Sequence, residues 1–166
     1  MVHVFVRLQN QLPQLKLILV GDFENSLDPL PEEILQQIQA HPNIIHIKWT
    51  QQVEYYMHLA QLFVFPSHRE GFPNVLLQAG AMQLPIICSA IPGNIDIVSD
   101  QQTGLIFETA NETAMSTQIH YALNQPEQMK KMAAILQQNI VKDYPRENIW
   151  QNILEAYNSL LNLDHQ

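Results

Sequence analysis

One cysteine in 166 residues, few charged side chains and no basic cluster narrow the chemistry of this chain before any motif is considered. Cys88 has no partner for an internal disulfide, and its neighbours Ile86 and Ile87 predict a buried thiol in a reducing compartment. Charged residues make up 14% of the chain, below the roughly 25% usual for soluble domains, so amides and excess acid must keep it in solution. Eight Lys and Arg against 16 Asp and Glu give a formal charge of −8. The cations are scattered, whereas phosphate-backbone binding needs them clustered, which argues against nucleic acid as a partner. The apolar runs at 17–20 and 62–65 fall far short of the roughly 20 residues of a membrane helix, so no transmembrane segment is expected. Residues 1–11 lack the apolar core and small-residue cleavage site of a secretory signal, which points to the cytoplasm.

Several catalytic signatures are missing as well. Gly21-Asp22 follows the first clear strand where a GxGxxG fingerprint would stand, so a nicotinamide cofactor has no support. The seven histidines show no metal-ligand spacing, and no metal site is expected. Ser67 has no Asp–His pair near it in sequence and is not a nucleophile candidate.

What is present suits one domain. Hydrophobic residues make up 46%, and a chain of this length buries roughly 70% of its unfolded surface. Short apolar runs alternate with segments of helical period, the pattern of an α/β domain with a parallel sheet. Strands are predicted at 15–20, 44–48, 62–65 and 85–89, with a short fifth at 105–107. The runs at 62–65 and 85–89 are continuously apolar, as parallel strands covered on both faces require. Helices are predicted at 31–41, 54–61, 74–83, 111–124, 126–141 and 145–163, with Pro31, Pro126 and Pro145 at first helical positions, where a missing N–H is harmless. The last three follow one another with no strand between, so the sheet ends near Phe107 and a helical cap closes the chain. Tyr144, Trp150 and Tyr157 are read as packing residues of that cap. Residues 1–12 stay ambiguous: Val2, Val4 and Val6 alternate like a strand, while Val2, Phe5, Val6 and Gln9 fit one helical face.

The most informative stretch runs from Phe63 to Pro85. A buried strand ends at Phe65, a polar loop carries Ser67, His68, Arg69 and Glu70, and Gly71 and Pro73 lead into a helix near Asn74. Ligands of open parallel sheets bind at this carboxyl edge. Free N–H groups at the helix start, with the helix dipole, would hold a phosphate or diphosphate. Glu70 beside that anion site suits hydrogen bonds to hydroxyls of a neutral group attached to the phosphate, a sugar being the obvious candidate. Gln78, one turn inside the helix, would reach hydroxyls further along the same ligand. The competing reading is an ordinary Arg69–Glu70 ion pair with Gln78 merely solvated.

Pro66-Ser-His-Arg-Glu-Gly-Phe-Pro73, Leu77-Gln-Ala-Gly-Ala-Met-Gln-Leu-Pro-Ile-Ile87 and Ile91-Pro-Gly-Asn-Ile-Asp-Ile-Val98 resemble the donor-binding domain of family 4 (group 1) retaining glycosyltransferases. The resemblance continues through Thr103-Gly-Leu-Ile-Phe107 and back to Leu17-Ile-Leu-Val-Gly-Asp22, from about residue 12 to the end. It implies a Rossmann-like α/β fold with helices on both faces, one half of a GT-B enzyme, and a nucleotide diphosphate sugar as donor substrate with no separate cofactor. Glu70 would contact the donor sugar as the catalytic-site carboxylate. Ser67, Arg69, Gly71, Phe72, Pro73 (through its carbonyl), Asn74 and Val75 would line the diphosphate, and position 78 the ribose.

Three departures qualify that carry-over. The family has a second glutamate where Gln78 stands. An amide keeps an acceptor for a ribose hydroxyl but loses charge-assisted strength. Gln83 stands where the family usually has glycine, a difference read as structural. The family's Arg and Lys that neutralise the leaving diphosphate have no counterpart, and the family register places the first strand, its basic loop and the acceptor-binding N-terminal domain upstream of Met1. The chain therefore reads as a fragment, a truncated gene product or half of a split enzyme. It is expected to be inactive alone, with any peripheral membrane contact belonging to the absent domain. In the family the first strand is central in the sheet, so either 2–6 substitutes for it or the chain is weakly stable. Trp49 and Thr50, with 51–53, either border a nucleobase, as the family implies, or form a core Trp with a capping Thr. Two other functions stand beside glycosyl transfer: a sugar-nucleotide epimerase, for which only one suitable carboxylate, Glu70, is visible, and a non-catalytic nucleotide-sugar-binding or interaction module.

Overall fold

The computed structural model describes residues 1–23 and 29–163. In chain order it contains α1 (Val2–Gln9), β1 (Leu17–Val20), α2 (Glu32–Ala40), β2 (Ile44–Ile47), α3 (Val53–Leu59), β3 (Phe63–Phe65), α4 (Asn74–Ala81), β4 (Ile86–Ser89), α5 (Asn94–Ile97), β5 (Leu105–Phe107), α6 (Glu112–Asn124), α7 (Pro126–Asp143) and α8 (Arg146–Leu163). Every strand pair is parallel. β1 pairs β2 with Leu17 opposite Ile44, and β4 lies between β3 and β5 with Ile87 opposite Val64 and Leu105.

β4 shows why this sequence needs helices on both sides. Ile86, Ile87 and Cys88 are 0% exposed and Ser89 1%. Side chains of a strand alternate between faces. Ile87 accordingly joins Leu105, Phe107 and Val64 under α1, α6 and the first half of α7, whereas Ile86 and Cys88 join Phe63, Phe65 and Ile106 under α3, α4 and the second half of α7. Burial pushes the Cys88 thiol up to about 12, with Asp100 adding a smaller effect of the same sign, so the group is neutral and a poor nucleophile at physiological pH.

The ambiguous N-terminus is a helix. Val4 and Leu8, four apart, meet the core of the three-stranded sheet, while Val2 and Phe5 meet Ile38 and Ile44 beside the two-stranded one. The strand alternative required Val6 to share a face with Val2 and Val4, and Val6 is only partly buried. Residues 2–6 thus do not supply a strand, and among the described residues the strands form two sheets, β1-β2 and β3-β4-β5. α1 is the bridge between them, fastened to α6 by Arg7 to Glu112 at 2.7 Å. β1 and β3 each keep an unpaired edge and are only partly buried, in contrast to β4.

Local signals account for most element ends. Asn111 Oδ1 accepts from the Ala114 amide at 2.9 Å and caps α6, and Pro126 occupies the first turn of α7. Pro31 and Pro145 stand one residue before their helices rather than inside them. Gln83 has φ 57°, in the left-handed region that favours glycine after a helix end, and its amide bonds to Gln137 Oε1. Gly80 lets α4 and α7 approach closely, since a Cβ there would meet Ile140 Cδ1 and, at 2.9 Å, Leu136 Cδ2. α5, four residues long, was not expected.

The last three helices behave differently from one another. α6 and α7 join the cores on the sheet faces, while α8 leaves Ile153, Leu154, Leu160 and Leu161 exposed along one stripe. Of the expected packing aromatics, Tyr144 lies against Phe72 with ring centroids 5.8 Å apart, but Trp150 and Tyr157 are 61% and 64% exposed. Among the described residues no helix is long and apolar enough to cross a membrane.

Because α1 holds two unpaired sheets together, removing its central contact should loosen the whole chain. Leu8→Ala is expected to lower stability by about 2–5 kcal/mol, read by urea denaturation. A loss below about 0.5 kcal/mol would show that α1 is not the bridge.

Candidate functional site

The residues singled out in sequence fall on one strand–loop–helix unit, from the end of β3 through 66–73 into α4. β3 ends with Phe65 packed on one face of the sheet, so the loop emerges at the carboxyl edge. Ser67 and Glu70 are partly buried, His68 and Arg69 exposed. Ser67 Oγ donates to Glu70 Oε1 at 2.7 Å and has a second acceptor, the Arg69 carbonyl, at 3.2 Å. No Arg69–Glu70 ion pair forms among the described residues, so the simple loop-pair reading fails. Glu70 is instead held by a neutral hydroxyl, which leaves its other oxygen available.

Pro73 is buried and immediately precedes α4. No side chain caps that start and no acidic residue occupies its first turn, so the positive end of the helix is not neutralised locally. Asn74 and Gln78, four apart, share the exposed face, while Leu76 and Ala79 are fully buried. Gly71, Phe72 and Asn74 are exposed and Val75 is partly buried. The structure thus brings Ser67 and Glu70 together in the loop that leads into α4. It places Arg69 in solvent without a carboxylate partner among the described residues, and Gln78 one turn along.

A second loop, unforeseen in sequence, supports the first. Gly93 has φ +85°, and a Cβ there would meet the Gly71 carbonyl at 2.8 Å and Pro73 Cδ at 3.2 Å. Its amide donates to Asp96 Oδ2 at 3.1 Å. Tyr144 reaches the same place from the end of α7, with Phe72 against its ring and its hydroxyl 3.4 Å from the Asp96 carbonyl. Residues 91–98 entered the sequence reading only through the family resemblance, and the contact of Gly93 with residues 71–73 is a tertiary fact. Trp49 is 66% exposed, which removes the core-Trp reading, although Thr50 Oγ1 does accept from the Gln52 amide at 3.1 Å. Two concave surfaces lie elsewhere: a groove between α1 and α6 lined by Arg7, Thr117 and His120, and one beside Gly21, Phe23 and His46. In the second, His46 Nε2 lies 2.7 Å from the Gly21 carbonyl and stacks on Phe23 at 4.2 Å.

Parallel strands sheathed by helices on both faces, with a polar loop at their carboxyl edge, define a Rossmann-like α/β domain. The particular family follows from comparison: the chain belongs to the group 1 glycosyl transferases, whose family profile matches residues 1–138. The capsular polysaccharide biosynthesis glycosyltransferase CapM of Staphylococcus aureus is 30% identical over 148 residues, 88% of this chain and 38% of CapM. HepE of Anabaena, solved in complex with UDP-glucose, superposes with a TM-score of 0.84 at 20% identity over 95% of this chain and 44% of HepE. The C-terminal domain of the group 1 protein LpcC from Francisella tularensis gives 0.76 at 17% identity, covering 87% of this chain and 77% of that one. The chain thus spans well under half the length of CapM and HepE.

The loop contact gives a direct check. Gly93→Ala should cost about 1–3 kcal/mol through its positive φ and should displace residues 71–73. Urea melts measure the first and amide chemical shifts the second; unchanged shifts at Gly71 and Phe72 would contradict the contact.

Proposed function

We propose that residues 1–166 form the donor-binding half of a retaining glycosyltransferase that moves a hexose from a nucleotide diphosphate sugar to an acceptor hydroxyl in polysaccharide or glycolipid assembly. The observation that carries the reading is the placement of Glu70, steadied by Ser67, beside the uncapped start of α4 at the carboxyl edge of a parallel sheet. The UDP-glucose complex of HepE and the capsular role in the name of CapM support the substrate class. In this reading amides from Phe72 and Val75 stabilise charge on the leaving diphosphate, a task that fixed donors perform without reorganisation, while the Asn74 amide already donates to the Phe72 carbonyl at 3.0 Å. Glu70 orients the sugar through its hydroxyls, and Gln78 accepts from or donates to the ribose.

Transfer also requires an acceptor held against the anomeric carbon and cations at the diphosphate, since proximity and charge stabilisation supply most of the acceleration. Arg69 is the one cation in the loop. Residues 1–166 alone are therefore proposed to bind donor and not to turn over, with acceptor binding and activity residing in a longer polypeptide. Calorimetry with UDP-glucose, GDP-mannose and ADP-glucose tests this. One of them should bind, and Glu70→Ala should weaken it at least about tenfold while leaving the nucleoside diphosphate unaffected. Transfer by the chain alone above a Glu70→Ala control would overturn the second half of the proposal.

Gln78 favours a second reading, a binding module without catalysis, because the amide forgoes a charge-assisted bond. Gln78→Glu is expected to tighten the nucleoside diphosphate about fivefold by calorimetry if position 78 faces the ribose. An unchanged affinity would remove it from the site.

A further inference from the structure

Behind the 66–73 loop lies a buried polar chain that hydrophobic packing does not explain. Ser89, the last residue of β4, and Asn94, the first of α5, are 1% and 0% exposed. Asn94 Nδ2 donates to the Ser89 carbonyl at 3.0 Å and to Ser89 Oγ at 3.2 Å. The Ser89 hydroxyl has a single proton, and it donates to the carbonyl of Ser67. Ser67 Oγ then donates to Glu70 Oε1 at 2.7 Å. Asn94 Oδ1 is buried with no partner among the described residues. An asparagine with one orphaned atom is a poorer core residue than an apolar side chain of its shape, so its value must lie in what its amide fixes.

The Ser67 hydroxyl has two acceptors in reach, Glu70 and, at 3.2 Å, the Arg69 carbonyl. It can serve only one at a time, and the tilt of the Ser67 peptide selects which. Ser89 grips that peptide by its carbonyl, and Asn94 sets the direction in which Ser89 donates. Gly93, seated against Gly71, holds the other end of the same loop. We propose that Ser89 and Asn94 are positioning residues for Glu70, fixing the Ser67 peptide so that its hydroxyl holds the carboxylate in the orientation that meets the donor sugar. The last clause rests on Glu70 being the sugar contact; the buried relay does not.

Two measurements on the full chain separate these. In protein with 13C-labelled glutamate, the Glu70 carboxylate resonance, assigned through Glu70→Gln, should move in Ser67→Ala and in the same direction in Ser89→Ala, and return in Ser89→Thr. Asn94→Leu, which removes the orphaned oxygen along with the donor, should move it too without lowering the melting temperature, a result that a merely structural role would not give. In calorimetry, Ser89→Ala should weaken UDP-glucose about fivefold and leave UDP unchanged. A Glu70 resonance that shifts in Ser67→Ala but stays at its wild-type position in folded Ser89→Ala and Asn94→Leu overturns the relay. Affinities for UDP-glucose, GDP-mannose and ADP-glucose all indifferent to Glu70→Ala overturn the donor reading instead, and the resonance still decides the relay.

Discussion

Burial of β4 on both faces is the constraint on which the rest of the structure depends. β4 has no solvent face, so each of its side chains must meet a helix, and the alternation of Ile86, Ile87 and Cys88 puts α1 and α6 on one side of the three-stranded sheet and α3 and α4 on the other, with α7 reaching both. α4 must pass close to α7 to cover Ile86 and Cys88, and Gly80 permits it. That packing fixes the axis of α4, and with it the place where the helix start opens at the sheet edge. The loop from β3 has no freedom about where it ends. Site geometry is in this sense a by-product of core geometry, trimmed by contacts from Gly93 and Tyr144.

The two-stranded unit is held by a different means. Among the described residues β1 and β2 pair only with each other, and their link to the larger sheet runs through α1, whose Val2 and Phe5 face one side and Val4 and Leu8 the other, and through Leu15, which packs against both cores. An eight-residue helix is marginal in isolation, so α1 owes its existence to those contacts, and the contacts owe theirs to α1. Such mutual dependence makes a cooperative joint with little reserve. The Arg7–Glu112 pair adds little, because both side chains are about half exposed and screened.

How much of this was legible follows the range of each interaction. The strands were readable because continuous apolar runs such as 62–65 carry their own signature, and the longer helices between and after them because their apolar residues recur at helical spacing. The 1–12 segment was not, since Val2, Val4 and Val6 satisfy a period of two as well as Val2, Phe5 and Val6 satisfy 3.6, and only the sheets on either side decide between them. α5 was missed because four residues carry no periodicity. Gln83 was read as structural without its reason: the position has positive φ, which glycine meets freely and which glutamine meets here with a bond to Gln137. In the candidate site, Ser67 and Glu70 were legible as a polar loop after a buried strand. The Ser89 and Asn94 chain was not, because hydrogen bonds between residues 67 and 89 leave no mark on local composition.

The net charge of −8 would by itself repel a diphosphate, yet the proposed site is anionic-ligand chemistry, so local and global electrostatics must be weighed separately. At physiological ionic strength charges beyond about 8 Å are largely screened, and the field at the start of α4 is set by what stands within that range. There no side chain caps the helix start and no acid occupies its first turn, although the Asn74 and Leu76 amides already donate to the Phe72 and Pro73 carbonyls, while Glu70 spends part of its charge on the Ser67 hydroxyl. Position 78 belongs to the same balance. A carboxylate there would strengthen a bond to a ribose hydroxyl but add a negative charge one turn from the diphosphate, in a loop whose cation, Arg69, points into solvent. An amide gives up the stronger hydrogen bond and removes the repulsion. The repulsion acts from an exposed position and is screened, whereas the hydrogen bond acts at contact, so in the proposed site the bond outweighs the repulsion and an amide at 78 gives up affinity.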